Sequence, residues 1–169
     1  MNIVNPQTAL VSLSDKSNLN HIIDFLVKKK IKILSTGGTY NAIKEITDNV
    51  LEVSEFTGFD EMMDGRVKTL HPKIHAGILA RRDSDLELLE EKGYETIDLV
   101  IVNLYPFEET IKKDCSFKDA IENIDIGGPT MIRAAAKNFQ DVVVLSDPND
   151  YEKITREWDL NDGISYETR

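Results

Sequence analysis

The sequence has a single cysteine, Cys115, among its 169 residues. One thiol cannot form an internal disulfide, so nothing in the sequence indicates an oxidising compartment. Long apolar runs and a signal peptide are also missing. The sequence therefore predicts neither a transmembrane helix nor export, and we expect a cytoplasmic protein. Because internal repeats and low-complexity tracts are missing too, an ordinary folded domain is the simplest interpretation.

Basic residues are in the minority, since 20 Lys and Arg stand against 30 Asp and Glu and give a formal net charge of −10. This balance argues against nucleic acid or an anionic membrane as a partner, because both require a basic face. A small phosphorylated metabolite remains compatible, since it requires only a local basic pocket. The hydrophobic content of 41% and the length of 169 residues suit one globular domain with a substantial core.

Short apolar segments alternate with stretches of helical periodicity along the whole chain. This alternation is typical of a parallel sheet with helices on both faces, because parallel strands need crossover connections and are buried on both sides. The predicted strands lie near residues 8–12, 31–35, 50–53, 99–103 and 142–145. The sequence thus predicts a three-layer, doubly wound α/β domain over residues 1–147 with a five-stranded parallel sheet, followed from residue 148 by a last helix.

Polar clusters follow three of the predicted strands, at residues 12–16, 35–39 and 103–107. In a doubly wound fold, ligands bind beyond the carboxyl ends of the strands, so these clusters form the candidate site. Gly37 and Gly38 let backbone N–H groups approach an anion, and the amino end of the following helix favours negative charge. The spacing matches neither a Walker A loop nor a dinucleotide fingerprint, and a plain strand-to-helix turn explains this cluster about as well.

Residues 65–72 bring two cations, a hydroxyl and an imidazole close together in the sequence. Arg66 and Lys68 alternate around Val67, so both point to the same side of an extended segment. In an acidic protein, this concentration of cations favours an anion as ligand, although a solvated basic turn is the alternative for the stretch by itself. With Lys16 at the same edge of the sheet, a monophosphate site becomes the better interpretation.

A second candidate group begins at Asp125, which precedes two glycines. This position suits either a turn or a carboxylate presented to a ligand. Lys137 follows Arg133 by four residues and Thr130 by seven, so the three share one helical face. A capping aspartate and a surface lysine are the alternative interpretation of this stretch.

His71 and His75 are four residues apart and suggest a metal pair. No third ligand has a matching spacing and Pro72 intervenes, so the sequence predicts no metal site. Tyr105 fits a core aromatic residue with a hydrated hydroxyl as well as it fits a site residue. Cys115 lies in an acidic stretch, and we assign it no catalytic role.

Together these motifs resemble the IMP cyclohydrolase domain, the methylglyoxal-synthase-like, amino-terminal half of the bifunctional AICAR formyltransferase/IMP cyclohydrolase of purine biosynthesis. The motifs that carry the resemblance are residues 12–16, 35–39, 65–72 with 75–81, 103–107 and 125–138. They follow the family's order over nearly the whole chain. Asn18 and Phe139 depart from the family pattern, where glycine and histidine are common, and neither belongs to a motif. Residues 148–169 are then expected to hold a helix and the start of the linker to a formyltransferase domain that the sequence does not contain.

The resemblance implies ring closure of FAICAR, a formamido-imidazole-carboxamide ribonucleotide, to IMP with loss of water and without a cofactor or a metal. The implied catalytic residues are Lys68, Tyr105, Asp125 and Lys137. The implied substrate-binding residues are Ser12, Ser14, Lys16, Ser35, Thr36, Gly37, Gly38, Thr39, Arg66, Thr69, Asn103, Ile126 and Gly127. The expected partner is the nucleotide substrate and, in the full-length protein, a second copy in a homodimer.

Two other functions remain open. One is a phosphate-eliminating lyase of the methylglyoxal synthase type, and the other is a non-catalytic nucleotide-sensing module like the regulatory domain of carbamoyl phosphate synthetase. Both share the shape and a phosphate loop with the cyclohydrolase domain. Neither is known for patterns such as residues 66–72 and 125–137, and these patterns favour the cyclohydrolase.

Overall fold

The computed structural model describes residues 3–105, 107–112 and 115–169. The elements along the chain are β1 (Ile3–Val4), β2 (Thr8–Leu13), α1 (Leu19–Lys28), β3 (Lys32–Ser35), α2 (Gly37–Lys44), β4 (Leu51–Glu52), α3 (Val53–Thr57), α4 (Pro72–Leu79), α5 (Leu86–Glu91), β5 (Leu99–Asn103), α6 (Phe107–Lys112), α7 (Phe117–Glu122), α8 (Gly127–Lys137), β6 (Val143–Leu145), a 3₁₀ turn (Pro148–Asp150), α9 (Tyr151–Asn161) and β7 (Ile164–Ser165). Within these ranges, no helix has both the length and the apolar character that crossing a membrane requires.

Strands β2 to β6 form a five-stranded sheet in the order β4-β3-β2-β5-β6, and every pairing in it is parallel. This confirms the predicted α/β fold and its five strands. The third strand is shorter than predicted, because Val53 already belongs to α3 and leaves β4 with two residues. The sequence pattern did not predict the antiparallel pair of β1 and β7, in which Val4 lies opposite Ile164.

Helices cover both faces of the sheet, and each face has its own apolar cluster. On one face, α1, α2 and α9 pack against side chains such as Val11 and Ile101. On the other face, α3, α4 and α8 pack against Leu10 and Val100. Successive residues of a strand point to opposite faces, so strands buried on both sides are apolar at nearly every position.

The residues after 148 pack into the first of these two clusters. Helix α9 contacts α1, and the ring of Trp158 meets that of Phe25 edge-on with a centroid distance of 5.4 Å. Trp158 is 1% exposed, so this helix is a full part of the core. The division of the chain into a domain over residues 1–147 and a following segment stays a prediction.

Strand β2 is the point at which the strand order reverses, with β3 and β4 on one side and β5 and β6 on the other. Ligands of open α/β sheets bind beyond the carboxyl ends of the strands at such a point. Here β2 ends at Leu13, β3 at Ser35 and β5 at Asn103, so the three predicted polar clusters begin at one edge of the sheet.

At the opposite edge, Asp98 connects several segments through its carboxylate. Oδ2 accepts hydrogen bonds from the backbone N–H groups of Gln7 at 3.0 Å and Thr8 at 3.2 Å, and Oδ1 accepts one from Arg82 Nη2 at 3.0 Å. Arg82 also donates to the carbonyl of Ile97. Asp98 is 8% exposed, and its charge is therefore compensated by the guanidinium and by two backbone dipoles.

We expect Asp98→Ala to lower the free energy of unfolding by on the order of 3 kcal/mol, because it leaves a partly buried guanidinium and two N–H groups without their acceptor. Asp48→Ala is the matched control, since it removes an exposed carboxylate paired with Lys44 at 2.8 Å and should leave the free energy of unfolding nearly unchanged, because water screens such a pair. Urea unfolding of both variants makes the comparison, and equal losses would show that the Asp98 network does not stabilise the fold.

Candidate functional site

A cavity of about 630 Å³ opens at the carboxyl edge of the sheet. Its lining residues are Ser12, Leu13, Ser14, Lys16, Thr36, Gly37, Gly38, Thr39, Asp64, Gly65, Arg66, Lys68, Thr69, Asn103, Tyr105, Ile121, Glu122, Asn123, Ile124, Asp125, Ile126, Gly127, Gly128 and Met131. The structure therefore brings together fifteen of the seventeen predicted site residues, from the loops after β2, β3 and β5, the basic loop of residues 65–70 and the start of α8.

Two predicted site residues, both within the described part of the chain, are not among the lining residues. Ser35 is fully buried, and its hydroxyl donates to the carbonyl of Val11 at 2.8 Å, so it connects β3 to β2. Lys137 is exposed and is the last residue of α8. A helix rises about 1.5 Å per residue, which puts the Lys137 backbone about 15 Å along the axis from Gly127 at the cavity.

The glycine loop after β3 forms the amino end of α2, an eight-residue helix. Thr36 is extended and Gly37 has a φ of +57°, a conformation that favours glycine and turns the backbone into the helix. A Cβ on Gly37 would lie 3.2 Å from Lys68 Nζ. The Lys68 ammonium therefore lies beside the amino end of α2, where both the cation and the N–H groups favour an anion.

Asn103 holds the loop after β2 in place. Its Oδ1 accepts from the backbone N–H groups of Ser14 at 2.7 Å and Asp15 at 2.9 Å, and its Nδ2 donates to the Asp15 carbonyl at 2.7 Å. The hydroxyl of Thr39 does the same for Leu13, accepting from its N–H at 2.9 Å and donating to its carbonyl at 3.0 Å. These side chains, predicted as direct ligands, have their polar groups bonded to the backbone of the cavity wall.

Asp125 lies one residue before Ile126, the N-cap of α8, and caps the first turn of the helix from there, because its Oδ1 accepts from the Gly128 N–H at 2.9 Å. The capping interpretation of this residue is thus correct, and it does not exclude a functional one, because Asp125 also lines the cavity. A Cβ on Gly127 would lie 2.6 Å from Thr69 Oγ1. The basic loop therefore packs directly on the turn that presents Asp125.

Both cations of the basic loop have carboxylate neighbours. Arg66 forms an ion pair with Glu122 of α7, and Lys68 Nζ lies 3.7 Å from Glu61 Oε2. Sequence reasoning missed Glu122 and its lining neighbours Ile121 and Ile124. These residues come directly before Asp125 in the sequence, and this position was the signal that could have identified them as lining residues.

An apolar wall lies on the Asp125 side of the cavity. Tyr105, Ile124 and Ile126 are 57%, 53% and 55% exposed, and all three line the cavity. Exposed aromatic and aliphatic side chains on a cavity wall suit the flat face of a ring as ligand. We call the amino end of α2, with Lys68 beside it, the cationic end of the cavity, and the residues that flank Asp125 its apolar end.

The two histidines have structural partners. His71 caps α4, accepting at Nδ1 from the Lys73 N–H at 3.1 Å. Burial lowers the pKa of His75, against the opposing effect of a hydrogen bond to the Thr69 backbone. Among the side chains that the structure describes, which exclude those of residues 109 and 110, no three His, Cys, Asp or Glu groups cluster in a way that could hold a metal ion.

The sequence matches the MGS-like domain over residues 18–130, and the chain belongs to that family. It is 56% identical to the bifunctional purine biosynthesis protein PurH of Fusobacterium nucleatum subsp. nucleatum and 55% identical to that of Clostridium beijerinckii, in each case over 163 residues. These alignments cover 95% of this chain and 32% of either relative, so the chain spans about a third of their length and is similar to their amino-terminal domain. The crystal structure of ForH superposes with a TM-score of 0.82 at 33% identity, covering 96% of this chain and 86% of that one.

The two glycines at the start of α2 allow a matched test of the loop geometry. We expect Gly37→Ala to lower the free energy of unfolding by about 1–2 kcal/mol, because it forces a side chain into the left-handed region. Gly38 has no atom within 4 Å of a built Cβ, and Gly38→Ala should be neutral or stabilising by up to about 1 kcal/mol. Urea unfolding of both variants measures the difference, and equal effects would contradict this geometry.

Proposed function

We propose that the chain is an IMP cyclohydrolase domain, which closes the ring of FAICAR to give IMP and water in purine biosynthesis. The observation that carries the proposal is that one cavity joins a glycine-lined helix start and three cations to Asp125 and an apolar wall. The similarity to PurH proteins supports it further. Because the chain spans about a third of those relatives, we do not assign it the folate-dependent formyl transfer.

The cationic end suits the 5′-phosphate of the nucleotide. The N–H groups at the start of α2 and its dipole favour negative charge, and Lys68 adds formal charge beside them. Lys16 and Arg66 add two further positive charges to the lining of the cavity. The Thr69 hydroxyl lies beside Gly127 at the start of α8, so we assign it to that side of the ligand and not to the amino end of α2. Asn103 and Thr39 act indirectly in this proposal, because their bonds hold the loop that carries Ser14 and Lys16.

The apolar end suits the reacting groups. Ring closure forms a C–N bond between the carboxamide nitrogen and the formyl carbon, after which the formyl oxygen leaves as water. An amide nitrogen is a poor nucleophile, so a base must take one of its protons as the bond forms, and the oxygen needs a positive or hydrogen-bonding partner. The oxygen then receives that proton and the proton of the formamido N–H, and it leaves as water while its C–O bond breaks and the C=N bond of the new ring forms. We assign the first role to Asp125, whose cap to Gly128 fixes the carboxylate, while Tyr105 positions the ring and donates a hydrogen bond.

Lys68 and Lys137 are assigned to stabilise the developing oxyanion, and they differ in how close to the cavity they lie. Lys68 lines the cavity, but its ammonium lies at the phosphate end beside Gly37, so serving the oxygen would require its flexible side chain to swing. Lys137 is not a lining residue, and its role rests on the family resemblance alone. A homodimer of the full-length protein and a cytoplasmic location also stay predictions.

Incubation of the purified chain with FAICAR should produce IMP, and we expect Asp125→Asn to lower turnover by about 10²–10⁴-fold, the usual effect of losing a general base. IMP affinity should fall much less, because the proposed phosphate contacts do not include Asp125. Asp147→Asn is the matched control, since Asp147 caps a 3₁₀ turn in the same way and does not line the cavity. If Asp125 only caps α8, its variant will melt at a lower temperature with near-parental turnover.

The variant Lys137→Met tests whether Lys137 takes part in the reaction, as the family resemblance implies. If it does, turnover falls by about 10²–10³-fold, as expected for the loss of an electrostatic stabiliser. Near-parental turnover of the folded variant would remove Lys137 from the mechanism and leave Lys68 as the cation for the oxygen.

Dialysis against a chelator should leave ring closure unchanged, because neither the proposed chemistry nor the roles of His71 and His75 require a metal. Turnover is measured before and after dialysis, with and without added zinc. A loss that zinc restores would contradict the proposal and return the two histidines to consideration as ligands.

A further inference from the structure

The ion pair of Arg66 and Glu122 connects two walls of the cavity. Arg66 belongs to the basic loop, and Glu122 is the last residue of α7, 56 positions further along the chain. Both residues line the cavity. In this structure the guanidinium expected to bind a phosphate therefore binds a carboxylate of the same molecule.

The charges around the cavity are balanced. Among the described lining residues, Lys16, Arg66 and Lys68 are positive, whereas Asp64, Glu122 and Asp125 are negative. An anionic ligand thus does not enter a surplus of positive charge. To bind Arg66, the ligand has to replace Glu122, the lining carboxylate in direct contact with this guanidinium.

A phosphate monoester can displace this carboxylate. The side chains of Arg66 and Glu122 are 61% and 48% exposed, and pairs in such surroundings are weak because water screens them. A phosphate offers three acceptor oxygens and about −1.5 to −2 charges where the carboxylate offers two oxygens and one charge. A neutral nucleoside has neither the phosphate oxygens nor the negative charge.

The position of Glu122 on α7 keeps the structural cost of displacement low. None of the six residues of α7, all of which the structure describes, is buried. The helix is closed at its start by a capping box between Ser116 and Asp119, which does not depend on Glu122. Moving the end of α7 therefore breaks the ion pair without opening the core.

We propose that Glu122 is an affinity-determining residue that occupies Arg66 in place of the ligand phosphate. It lowers the affinity for every ligand that uses Arg66 and leaves the affinity for ligands without a phosphate unchanged. The inference rests on the proposed function only in taking a phosphate monoester as the ligand. The competing view is that Glu122 orients Arg66 toward the phosphate, and it predicts the opposite effect of removing the charge.

Calorimetric titration with IMP, ribose 5-phosphate and inosine distinguishes these views. Glu122→Gln keeps the size of the side chain and removes its charge, so we expect IMP and ribose 5-phosphate to bind about two- to fivefold more tightly, the range of an exposed ion pair. Inosine affinity should not change. Glu91→Gln, an exposed carboxylate on α5, is the control for net charge and should leave all three affinities unchanged.

A double-mutant cycle tests whether the effect passes through Arg66. Arg66→Ala should weaken IMP binding about tenfold to hundredfold, as expected for the loss of a charge-assisted hydrogen bond. In that background, the effect of Glu122→Gln should shrink to that of Glu91→Gln. Both residues are exposed, so we expect the variants to fold, and thermal melting verifies it.

Each outcome decides the inference. Tighter binding that disappears without Arg66 supports it. Weaker binding of IMP by Glu122→Gln would establish the orienting role instead, and unchanged binding would show that Glu122 does not compete; either result overturns the inference and leaves the proposed function standing. If the parent binds neither IMP nor ribose 5-phosphate, the inference and the proposed nucleotide site fail together.

Discussion

The parallel pairing of β2 with both β3 and β5 is the constraint on which the site depends. It sets Val11 opposite Ser35 and Leu13 opposite Asn103, so three loops leave the sheet at the same edge. A shift of one residue in either pairing would turn the flanking side chains to the other face and separate these loops. The apolar residues on both faces hold this register, because each face of β2 contributes to a separate buried cluster.

Around this edge, much of the polar chemistry serves to shape the cavity. The side chains of Asn103 and Thr39 bind backbone groups of the loop after β2, and Asp125 caps α8. A catalytic constellation needs such supporting bonds, because its reacting groups must be held to within a fraction of an ångström. The groups that can meet a ligand are chiefly the N–H groups of α2, the apolar wall and the cations, of which Arg66 is bonded to Glu122 in this structure.

The sheet could be predicted from the sequence, because strands buried on both faces leave unbroken apolar segments. The position of the cavity could be predicted too, because ligand-binding loops follow the carboxyl ends of such strands. The pair of β1 and β7 could not, since two-residue strands have no periodicity. The helical periodicity predicted that Lys137 shares a helix face with Thr130 and Arg133, but it could not give the distance between Lys137 and the cavity. The ion pair of Arg66 and Glu122 joins segments 56 residues apart, and no local pattern reports a tertiary contact of that kind.

A crystal structure of the chain with IMP tests the central claim most directly, because it shows where each end of the nucleotide lies. The account predicts the 5′-phosphate at the N–H groups of Gly37 and Gly38 and the base between Tyr105 and Asp125, with Arg66 bonded to the phosphate. A nucleotide bound in the reverse orientation, or bound outside the cavity at the carboxyl edge of the sheet, would contradict it.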